Sequence, residues 1–285
     1  MIRTLPCSRI YKAGFRIFVM LYFAFLFAPL FVTCILAFND SMFPSLPWKG
    51  FTLDWFLGTG ESGKTGIFHD ALNLRSIFTS LRTAFCVSIL STIIGICAAF
   101  LLEQENFRLK KVLYFLMIAP LVIPGVILGI SILLFANQIG LFFEEKLNLD
   151  VKFLRPGFWL VVFGQSSFIS TFVALVVTAK LKKFSRTLED AAYNLGANRF
   201  QVIWYITLKY LRPSIIGAAA VSFLMSLENF NTTLFLVGSE TTLPINLYLQ
   251  VRDGSTPVIN AISFLLILCT SIFAITSLCL SANKK

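Results

Sequence analysis

Six long apolar stretches alternate with polar connections along the chain. Each stretch has about the 20 residues that an α-helix needs to cross a bilayer. No water is present in the bilayer core to pair with backbone amides and carbonyls, so a segment that crosses it must be helical. The pattern therefore predicts an all-α, polytopic membrane protein with six transmembrane helices. The predicted spans are Ile17–Phe38, Ile77–Leu102, Val112–Ala136, Gly157–Ala179, Ser214–Gly238 and Val258–Leu280.

The composition of the 285-residue chain agrees with this prediction. Hydrophobic residues make up 57% of the chain and charged residues only 13%, and the mean hydropathy is +0.81. A soluble domain has about twice this share of charged residues. The first apolar stretch follows basic residues, as in a signal peptide, but it exceeds the about 7–15 apolar residues of such a peptide. We interpret it as a retained membrane anchor.

Lysine and arginine are distributed unevenly between the two sides of the predicted membrane. Most of the 24 basic residues lie in the two termini and in the connections after the second and fourth spans. Such connections stay in the cytoplasm, so both termini are predicted to be cytoplasmic. The net charge of +10 is then explained by topology, and nucleic-acid binding is not predicted.

The cysteines and the single histidine do not form a pattern typical of a metal or catalytic site. Of six cysteines, five lie in apolar spans, and none has the spacing of metal ligands. One histidine is too few for a metal site or a catalytic triad. The sequence therefore predicts no metal site, no catalytic residue and no enzymatic activity.

One motif points to a different function. The segment GTGESGKT, residues 58–65, matches the phosphate-loop pattern G-x-x-x-x-G-K-[ST]. A phosphate loop needs a strand before it, a helix after it and a parallel sheet around it. The connection from Asn39 to Ser76 is too short for that fold, and it is predicted to lie outside the cytoplasm. We interpret the segment as a flexible loop that binds no nucleotide.

The predicted cytoplasmic connection at residues 180–213 has helical patterning of its own. Thr187 can cap a helix whose first turn contains Glu189 and Asp190, where acidic side chains complement the helix dipole. Gly196 can end this helix. The small side chains inside it let another protein approach closely, so the connection is a candidate docking site.

A second amphipathic segment follows, with apolar residues at helical spacing. These residues are Phe200, Ile203, Trp204 and Leu208. The alternative interpretation of both segments is a connector that lies on the lipid surface.

The segment DAAYNLGANRFQVIWYITL resembles the EAA loop of permease subunits in type I ABC importers, whose pattern is E-A-A-x3-G-x9-I-x-L-P. The matching positions are Asp190, Ala191, Ala192, Gly196, Ile206 and Leu208. Asp190 replaces the glutamate of the family and keeps its charge on a shorter side chain. Lys209 stands at the proline position, and the proline comes later, at Pro213, which leaves the end of the second helix open.

The resemblance runs from about Trp48 to the C-terminus. The segments ALNLRSIFTSLRTAF and MIAPLVIPGVILGISIL are similar to the entry to the family's core and to its proline-containing third span. A further set of positions is similar to the polyamine (spermidine/putrescine) branch. They are Gly238, Leu243, Pro244, Leu247, Tyr248, Val251 and Arg252.

The resemblance implies a multi-pass permease subunit in the bacterial cytoplasmic (inner) membrane. Its implied partners are a cytoplasmic ABC ATPase dimer, a second permease subunit of different sequence and an extracytoplasmic substrate-binding protein. ATP and Mg²⁺ would bind to the ATPase, and this chain would bind no cofactor. Residues 1–76 would form the N-terminal tail, first transmembrane helix and extracytoplasmic loop. Residues 77–285 would form the permease core, with the coupling loop at 180–213.

The predicted fifth span contains the candidate substrate path. Glu228 is expected about 21 Å along the helix from Ser214, at about 1.5 Å per residue, in the outer half of the membrane. A charge at this depth normally faces a cavity or an ionic partner. Asn231 and Thr232 would share its helical face, with Asn229 beside them, and a carboxylate suits an amine-bearing cation. The alternative is a structural ion pair, for example with Arg82.

Two neighbouring spans add polar or distorted segments. In the third, Pro120, Pro124 and Gly125 can kink the helix, either to line the path or for packing alone. Polar residues of the fourth span are predicted to face the interior and to form interhelical hydrogen bonds. These are Gln165, Ser166, Ser167, Ser170 and Thr171.

Two alternatives to a polyamine permease remain. One is an ABC permease for another small solute. The other is an ion-driven secondary carrier, which normally has an internal repeat and several ionisable groups in the membrane. The sequence shows neither property clearly.

Overall fold

The computed structural model describes the backbone of residues 9–44, 46–60, 63–105, 107–254 and 257–282. Every regular element within these ranges is helical, as the hydropathy pattern predicts. The α-helices are α1 (Arg9–Leu36), α2 (Asp54–Leu57), α3 (Ala71–Gln104), α4 (Lys110–Val122), α5 (Gly125–Leu147), α6 (Phe158–Leu181), α7 (Thr187–Asn194), α8 (Arg199–Val202), α9 (Leu208–Leu227), α10 (Thr233–Leu236), α11 (Leu243–Gly254) and α12 (Val258–Ala282). Short 3-10 turns occupy Ile67–His69 and Lys152–Leu154, and a π-helical turn occupies Ile203–Thr207.

Five helical segments are long and apolar enough to cross a membrane. They are Tyr11–Leu36, Ala71–Glu103, Gly125–Leu147, Phe158–Leu181 and Arg199–Leu227. The sixth predicted span coincides with α12, of which the apolar segment Val258–Ile272 is shorter. The all-α, multi-pass architecture is confirmed. The sixth crossing and the cytoplasmic location of both termini remain predictions, and residues 1–8 and 283–285 lie outside the described residues.

The third span differs from its predicted bounds because the helix is broken. α4 ends at Val122 and α5 begins at Gly125, and the two residues between them are extended, with ψ of 131° at Ile123 and 132° at Pro124. The ring of a proline disfavours helical geometry at the residue before it, which explains the position of the break. The segment long enough to span is therefore α5. The predicted bounds Val112–Ala136 are wrong, whereas the predicted distortion is confirmed.

The fifth span is also displaced from its predicted position, Ser214–Gly238. α9 already ends at Leu227, and only the short α10 follows. Towards the N-terminus, the helical segment extends back to Arg199 without a break, through the π-helical turn and α8. Pro213 lies inside α9. Lys209 at the proline position therefore does not mark a helix end. The second helix of the coupling loop continues directly into the membrane span.

The chain divides into two compact units, one of residues 75–248 and the other of residues 1–74 with 249–285. In the second unit α1 packs against α12. The ring of Phe38 contacts those of Phe56 and Phe264, with centroids 5.2 and 5.0 Å apart. These contacts fix the connection after α1 by burial of aromatic surface.

In the unit of residues 75–248, α6 is the central helix, and most of its residues are buried. It packs along α9, and the two helices share a core cluster with α3. The buried members are Ala99, Val173, Val177, Leu181, Leu211 and Ala218. A Cβ atom at Gly95 would lie 2.6 Å from Cβ of Val173 and 2.9 Å from the carbonyl oxygen of Ser170. Small residues allow this close approach, which is typical of membrane helix packing.

The close contact at Gly95 generates the first prediction. Gly95→Leu should lower the free energy of unfolding by about 1–3 kcal/mol, because the added side chain overlaps the backbone of α6. The measurement is equilibrium unfolding in mixed detergent micelles. Gly217→Leu is the matched control, since a Cβ there meets nothing within 4 Å. Equal effects of both substitutions would contradict the packing argument.

Candidate translocation cavity and coupling surface

A cavity of about 260 Å³ lies where two helices are interrupted. It is bordered by the break between α4 and α5 and by the turn that follows α9. Its lining consists of Pro120, Leu121, Ile123, Gly125, Leu128, Phe168, Met225, Asn229, Asn231 and Thr232. Non-helical backbone at membrane depth is tolerated where protein buries it or where it lines a cavity. The two interruptions therefore identify this cavity as a candidate ligand site.

Two glycines let α5 begin directly against the turn after α9. A Cβ atom at Gly125 would lie 3.0 Å from Cβ of Asn231, and one at Gly129 would lie 2.8 Å from the carbonyl oxygen of Thr232. Both distances are shorter than ordinary van der Waals contact. The two walls of the cavity are therefore fixed by close backbone packing.

A buried hydrogen-bond network holds α6 against both sides of the interruption after α9. Ser226 Oγ donates to Gln165 Oε1, and Gln165 Nε2 donates to Thr233 Oγ1 at 2.7 Å. Thr233 Oγ1 in turn donates to Asn229 Oδ1 at 2.9 Å. This confirms the predicted interhelical role of Gln165. The prediction is wrong for Ser167, which is exposed and donates to Gly164 of its own helix.

The structure brings together three of the four predicted path residues. Asn229, Asn231 and Thr232 line the cavity. Glu228 is the exposed residue directly after α9 and is not part of the lining. The prediction that Glu228, Asn231 and Thr232 share one helical face is wrong, because the helix ends at Leu227.

The alternative role of Glu228, an ion pair with Arg82, is not seen among the described residues. The guanidinium of Arg82 instead lies 3.8 Å from the ring centroid of Phe158. Glu228 therefore presents its carboxylate to the surface next to the cavity.

The coupling segment contains the predicted short helix, α7. Gly196 has a φ of +85°. Its amide donates to the carbonyl of Tyr193 at 2.9 Å, and the amide of Ala197 donates to that of Ala192 at 3.0 Å. This pair of bonds is a Schellman motif, which confirms that Gly196 ends the helix. The predicted cap at Thr187 is wrong, because Thr187 is the first helical residue and no side chain caps this end.

The side chain that connects α7 to the fifth span was not predicted. Thr207 is fully buried in the π-helical turn, and its Oγ1 donates to Glu189 Oε1 at 2.7 Å. The second segment begins with a capping box between Asn198 and Gln201. π-helical turns are frequent at functional sites. The hydrogen bond joins α7 to the start of the membrane span.

The outer surface of the coupling segment is unusually apolar. Leu195 is 89% exposed, Phe200 72% and Trp204 58%, and the last two rings stack with centroids 6.1 Å apart. Asp190 and Ala191 are exposed as well. Contiguous exposed apolar surface is typical of an interaction site. We refer to Leu188, Asp190, Ala191, Tyr193, Leu195 and Phe200 as the coupling surface.

Two residues of the EAA-like pattern lie inside the continuous helical segment and not on this surface. Ile206 belongs to the π-helical turn and Leu208 begins α9, and both are half-buried. Sequence reasoning did not single out Leu195, because it lies outside the apolar periodicity of either helix.

The phosphate-loop motif forms a hydrogen-bonded hairpin. Thr59 and Thr65 make an antiparallel bridge, and the amide of Gly66 donates to the carbonyl of Gly58 at 2.9 Å. A Cβ atom at Gly58 would lie 2.5 Å from the carbonyl oxygen of Lys64. Close backbone packing therefore explains why this residue is a glycine. Residues 61 and 62 lie outside the described residues. The described residues of the motif are therefore tied to one another by backbone hydrogen bonds.

Lys64 is occupied within its own loop. Its Nζ forms ion pairs with Asp40 and, at 3.4 Å, with Asp54, and it lies 5.7 Å from the ring centroid of Trp55. The hydrogen bond to Asp40 raises the pKa of Lys64. The stabilisation by this charge is therefore present at neutral pH and is lost as the pH rises through the raised pKa. Together these contacts support a structural role in place of phosphate binding.

The membrane-length helices, the two interruptions and the coupling segment are the features expected of a permease subunit of an ABC importer. Residues 91–280 match the family described as "binding-protein-dependent transport system inner membrane component". The chain belongs to this family and is a multi-pass protein of the bacterial inner membrane. The family predicted from the EAA-like segment is confirmed.

Curated relatives include polyamine permeases. The chain is 32% identical over 263 residues to the putrescine transport system permease protein PotI of Escherichia coli (strain K12), covering 90% of this chain and 86% of that protein. It is 26% identical over 278 residues to the spermidine/putrescine transport system permease protein PotC of the same strain, covering 97% and 96%. These relatives are permease subunits, which are not enzymes.

A further relative has a different substrate in its name. The putative 2-aminoethylphosphonate transport system permease protein PhnV of Salmonella paratyphi A is 28% identical over 257 residues, with 87% of this chain and 89% of that protein covered.

Solved structures share the fold at low identity. A bacterial ABC transporter for the acidic polysaccharide alginate matches with a TM-score of 0.69 at 14% identity, covering 99% of both chains. The alginate transporter in complex with its pentasaccharide-bound periplasmic protein matches with a TM-score of 0.72 at 19% identity, covering 93% of this chain and 92% of that chain. Both establish the ABC permease fold.

Replacement of Lys64 separates the structural role from a nucleotide-binding role. In Lys64→Ala, Asp40 and Asp54 lose their shared cation, so limited proteolysis of the 39–70 connection should become several-fold faster. The dependence of transport ATPase activity on ATP concentration should not change. Lys49→Ala is the control, because Lys49 is exposed in the same connection. A higher ATP requirement in a normally assembled Lys64→Ala transporter would contradict the structural interpretation.

Proposed function

We propose that this chain is one permease subunit of an ATP-driven importer for polyamines such as spermidine and putrescine. The proposal depends above all on the cavity at the two helix interruptions, which Asn229, Asn231 and Thr232 line. The similarity to polyamine permeases supports the same substrate class. The cavity is proposed as part of the translocation path.

The lining suits a flexible chain with amines at intervals. The amide and hydroxyl oxygens of Asn229, Asn231 and Thr232 can accept hydrogen bonds, and an ammonium group offers three donors. The apolar side chains of Phe168 and Met225 provide contact surface for methylene groups. A neutral polar lining binds such a cation without the strong retention that a buried ion pair would cause, so release remains possible.

Helix dipoles favour the same sign of charge. The end of α4 and the start of α5 adjoin each other at the cavity, so their opposite partial charges largely cancel. The C-terminal end of α9 also borders the cavity. The helix that begins on the other side of the turn, α10, has only four residues, so it offsets little of the partial charge at the α9 terminus. Its carbonyl groups carry partial negative charge, which favours a cation.

Glu228 adds a full negative charge near the entrance. Because its side chain is exposed, we assign it to attraction of the substrate and not to a fixed binding contact. Charges at a site entrance raise association rates, and the effect weakens with ionic strength. A phosphonate would be repelled by the same carboxylate.

The second candidate function is import of another small solute. It is supported by the similarity to the relative named for 2-aminoethylphosphonate.

The coupling surface is proposed to dock into a groove on a cytoplasmic ABC ATPase dimer, which would bind ATP and Mg²⁺. This places residues 180–213 and both termini in the cytoplasm. Movement of α7 would reach the fifth span through the hydrogen bond between Glu189 and Thr207. The far end of that span borders the cavity through Met225. ATP binding would supply the free-energy difference between the two orientations of the path.

Two further partners complete the proposed assembly. A second permease subunit of different sequence would form the other half of the path, and an extracytoplasmic binding protein would deliver the polyamine. Residues 77–285 form the proposed permease core.

Glu228→Gln tests the proposed attraction of a cationic substrate. Putrescine uptake at limiting concentration and low ionic strength should fall about three- to tenfold, and the difference should shrink when salt is added. Glu145→Gln is the matched control, because Glu145 is an exposed glutamate on α5 away from the cavity lining. Unchanged putrescine uptake in Glu228→Gln would contradict this role.

Leu195→Asp tests the docking of the ATPase. A charge placed in a desolvated apolar contact should weaken docking by about 2 kcal/mol or more, and the ATPase should be lost from the purified complex. Leu149→Asp is the control, since Leu149 is an exposed leucine of the connection after α5, outside the coupling surface. A substitution at Leu195 is more informative than one at Gly196, because any side chain at Gly196 would also strain the backbone at its positive φ. Normal copurification of the ATPase with Leu195→Asp would exclude this surface.

A further inference from the structure

A second recess, separate from the cavity, lies on the surface of the 75–248 unit. It is an open groove of about 660 Å³ between α3 and the start of the fifth span. Trp204 and Tyr205 of the π-helical turn line one end, Lys209 and Arg212 line the middle, and Ile216 lies at the other end. None of these residues belongs to the proposed path, and Trp204 contacts the coupling surface by stacking on Phe200.

The middle of the groove has uncompensated positive charge. Lys209 and Arg212 are three residues apart on α9 and therefore lie on the same side of the helix. Neither forms an ion pair with a carboxylate in the part of the chain that the structure describes. The described lining contains no acidic residue. An occupant of this groove should therefore carry negative charge next to these two side chains.

The order of residue types along the groove matches a boundary between water and hydrocarbon. Trp204 and Tyr205 are 58% and 68% exposed, and these residue types concentrate at membrane interfaces. The two cations follow along the helix. Ile216 of α9 and Ile96 of α3 then form an apolar end that lies within membrane-length helices. The groove thus has a cationic site beside the interface and a hydrocarbon-like extension.

We propose that this groove binds one anionic phospholipid. Lys209 and Arg212 hold the phosphate, and an acyl chain lies along Ile96 and Ile216. A protein segment would have to provide a carboxylate at the membrane interface and an apolar segment beside it, whereas a phospholipid has both parts already. Basic pockets between membrane helices are known to bind lipid head groups. The inference requires a membrane protein only and does not depend on the polyamine proposal.

The test is native mass spectrometry of the complete transporter, titrated with phosphatidylglycerol or with phosphatidylcholine. The unsubstituted complex should bind one phosphatidylglycerol with clear preference over phosphatidylcholine. In Lys209→Gln/Arg212→Gln the affinity for phosphatidylglycerol should fall about thirtyfold, because each interfacial cation contributes roughly a fivefold factor. The affinity for phosphatidylcholine should change little.

The chain offers a closely matched control in Arg108→Gln/Lys111→Gln. This pair also contains one arginine and one lysine three residues apart, both exposed, and neither lines the groove. Its affinity for phosphatidylglycerol should equal that of the unsubstituted complex. An equal loss in both double variants would show a general charge effect and would overturn the proposal.

Further measurements distinguish other occupants and guard against misfolding. Lys209→Arg/Arg212→Lys keeps both charges and should retain the lipid; loss of binding there would contradict the charge argument. Glycerol 3-phosphate should compete weakly, and competition as strong as by the lipid would indicate a free-phosphate site instead. A photo-crosslinking residue at Ile216 should form a lipid adduct. An adduct to a second permease subunit would show that protein covers the groove and would overturn the proposal.

Discussion

Gln165 makes the hydrogen bonds that hold the interrupted fifth span in place. Its side chain is fully buried, and an amide without partners in an apolar environment costs several kcal/mol. Ser226, before the interruption, donates to its oxygen, while Thr233, after it, accepts from its nitrogen. One residue of α6 thus fixes both sides of the turn. Because Asn229 and Thr232 belong to this turn, the shape of the cavity depends on the same bonds.

The turn after α9 depends on partners from another helix, whereas the features that the sequence predicts correctly have local causes. The helices follow from hydropathy, and the break at Pro124 follows from the ring of proline. The C-terminus of α7 follows from Gly196, since a positive φ is easiest for glycine. All three effects are local. By contrast, no proline or glycine lies between Ser222 and Thr233 to end α9. The helix ends at Leu227 where polar side chains find partners on α6, and a single sequence does not specify those partners.

The distinction between local effects and tertiary contacts also applies to the cavity and to the phosphate-loop motif. The predicted position of Glu228 on a helical face requires a continuous helix, and it is wrong because α9 ends at Leu227. Asn231 and Thr232 nevertheless reach the cavity, because the turn takes them there by another route. The phosphate-loop motif is the opposite case, in which the sequence matches a pattern but the surroundings do not fit the predicted function. Lys64 matches a pattern, yet its surroundings contain two aspartates and a hairpin, so the environment decides its role.

The fifth span joins the coupling segment to the cavity, the two regions that the proposed transport cycle would couple. Thr207, at one end, donates a hydrogen bond to Glu189, and the other end, which is Leu227, adjoins the lining residues Met225 and Asn229. At about 1.5 Å per residue, the helix between them is about 30 Å long. In the proposed importer, a rotation of this helix at the π-helical turn would displace its distant end. The turn at Asn229 is held by hydrogen bonds and not by continuous helix. Under the proposed function, coupling would therefore run along α9 between the π-helical turn at one end and the turn at Asn229 at the other.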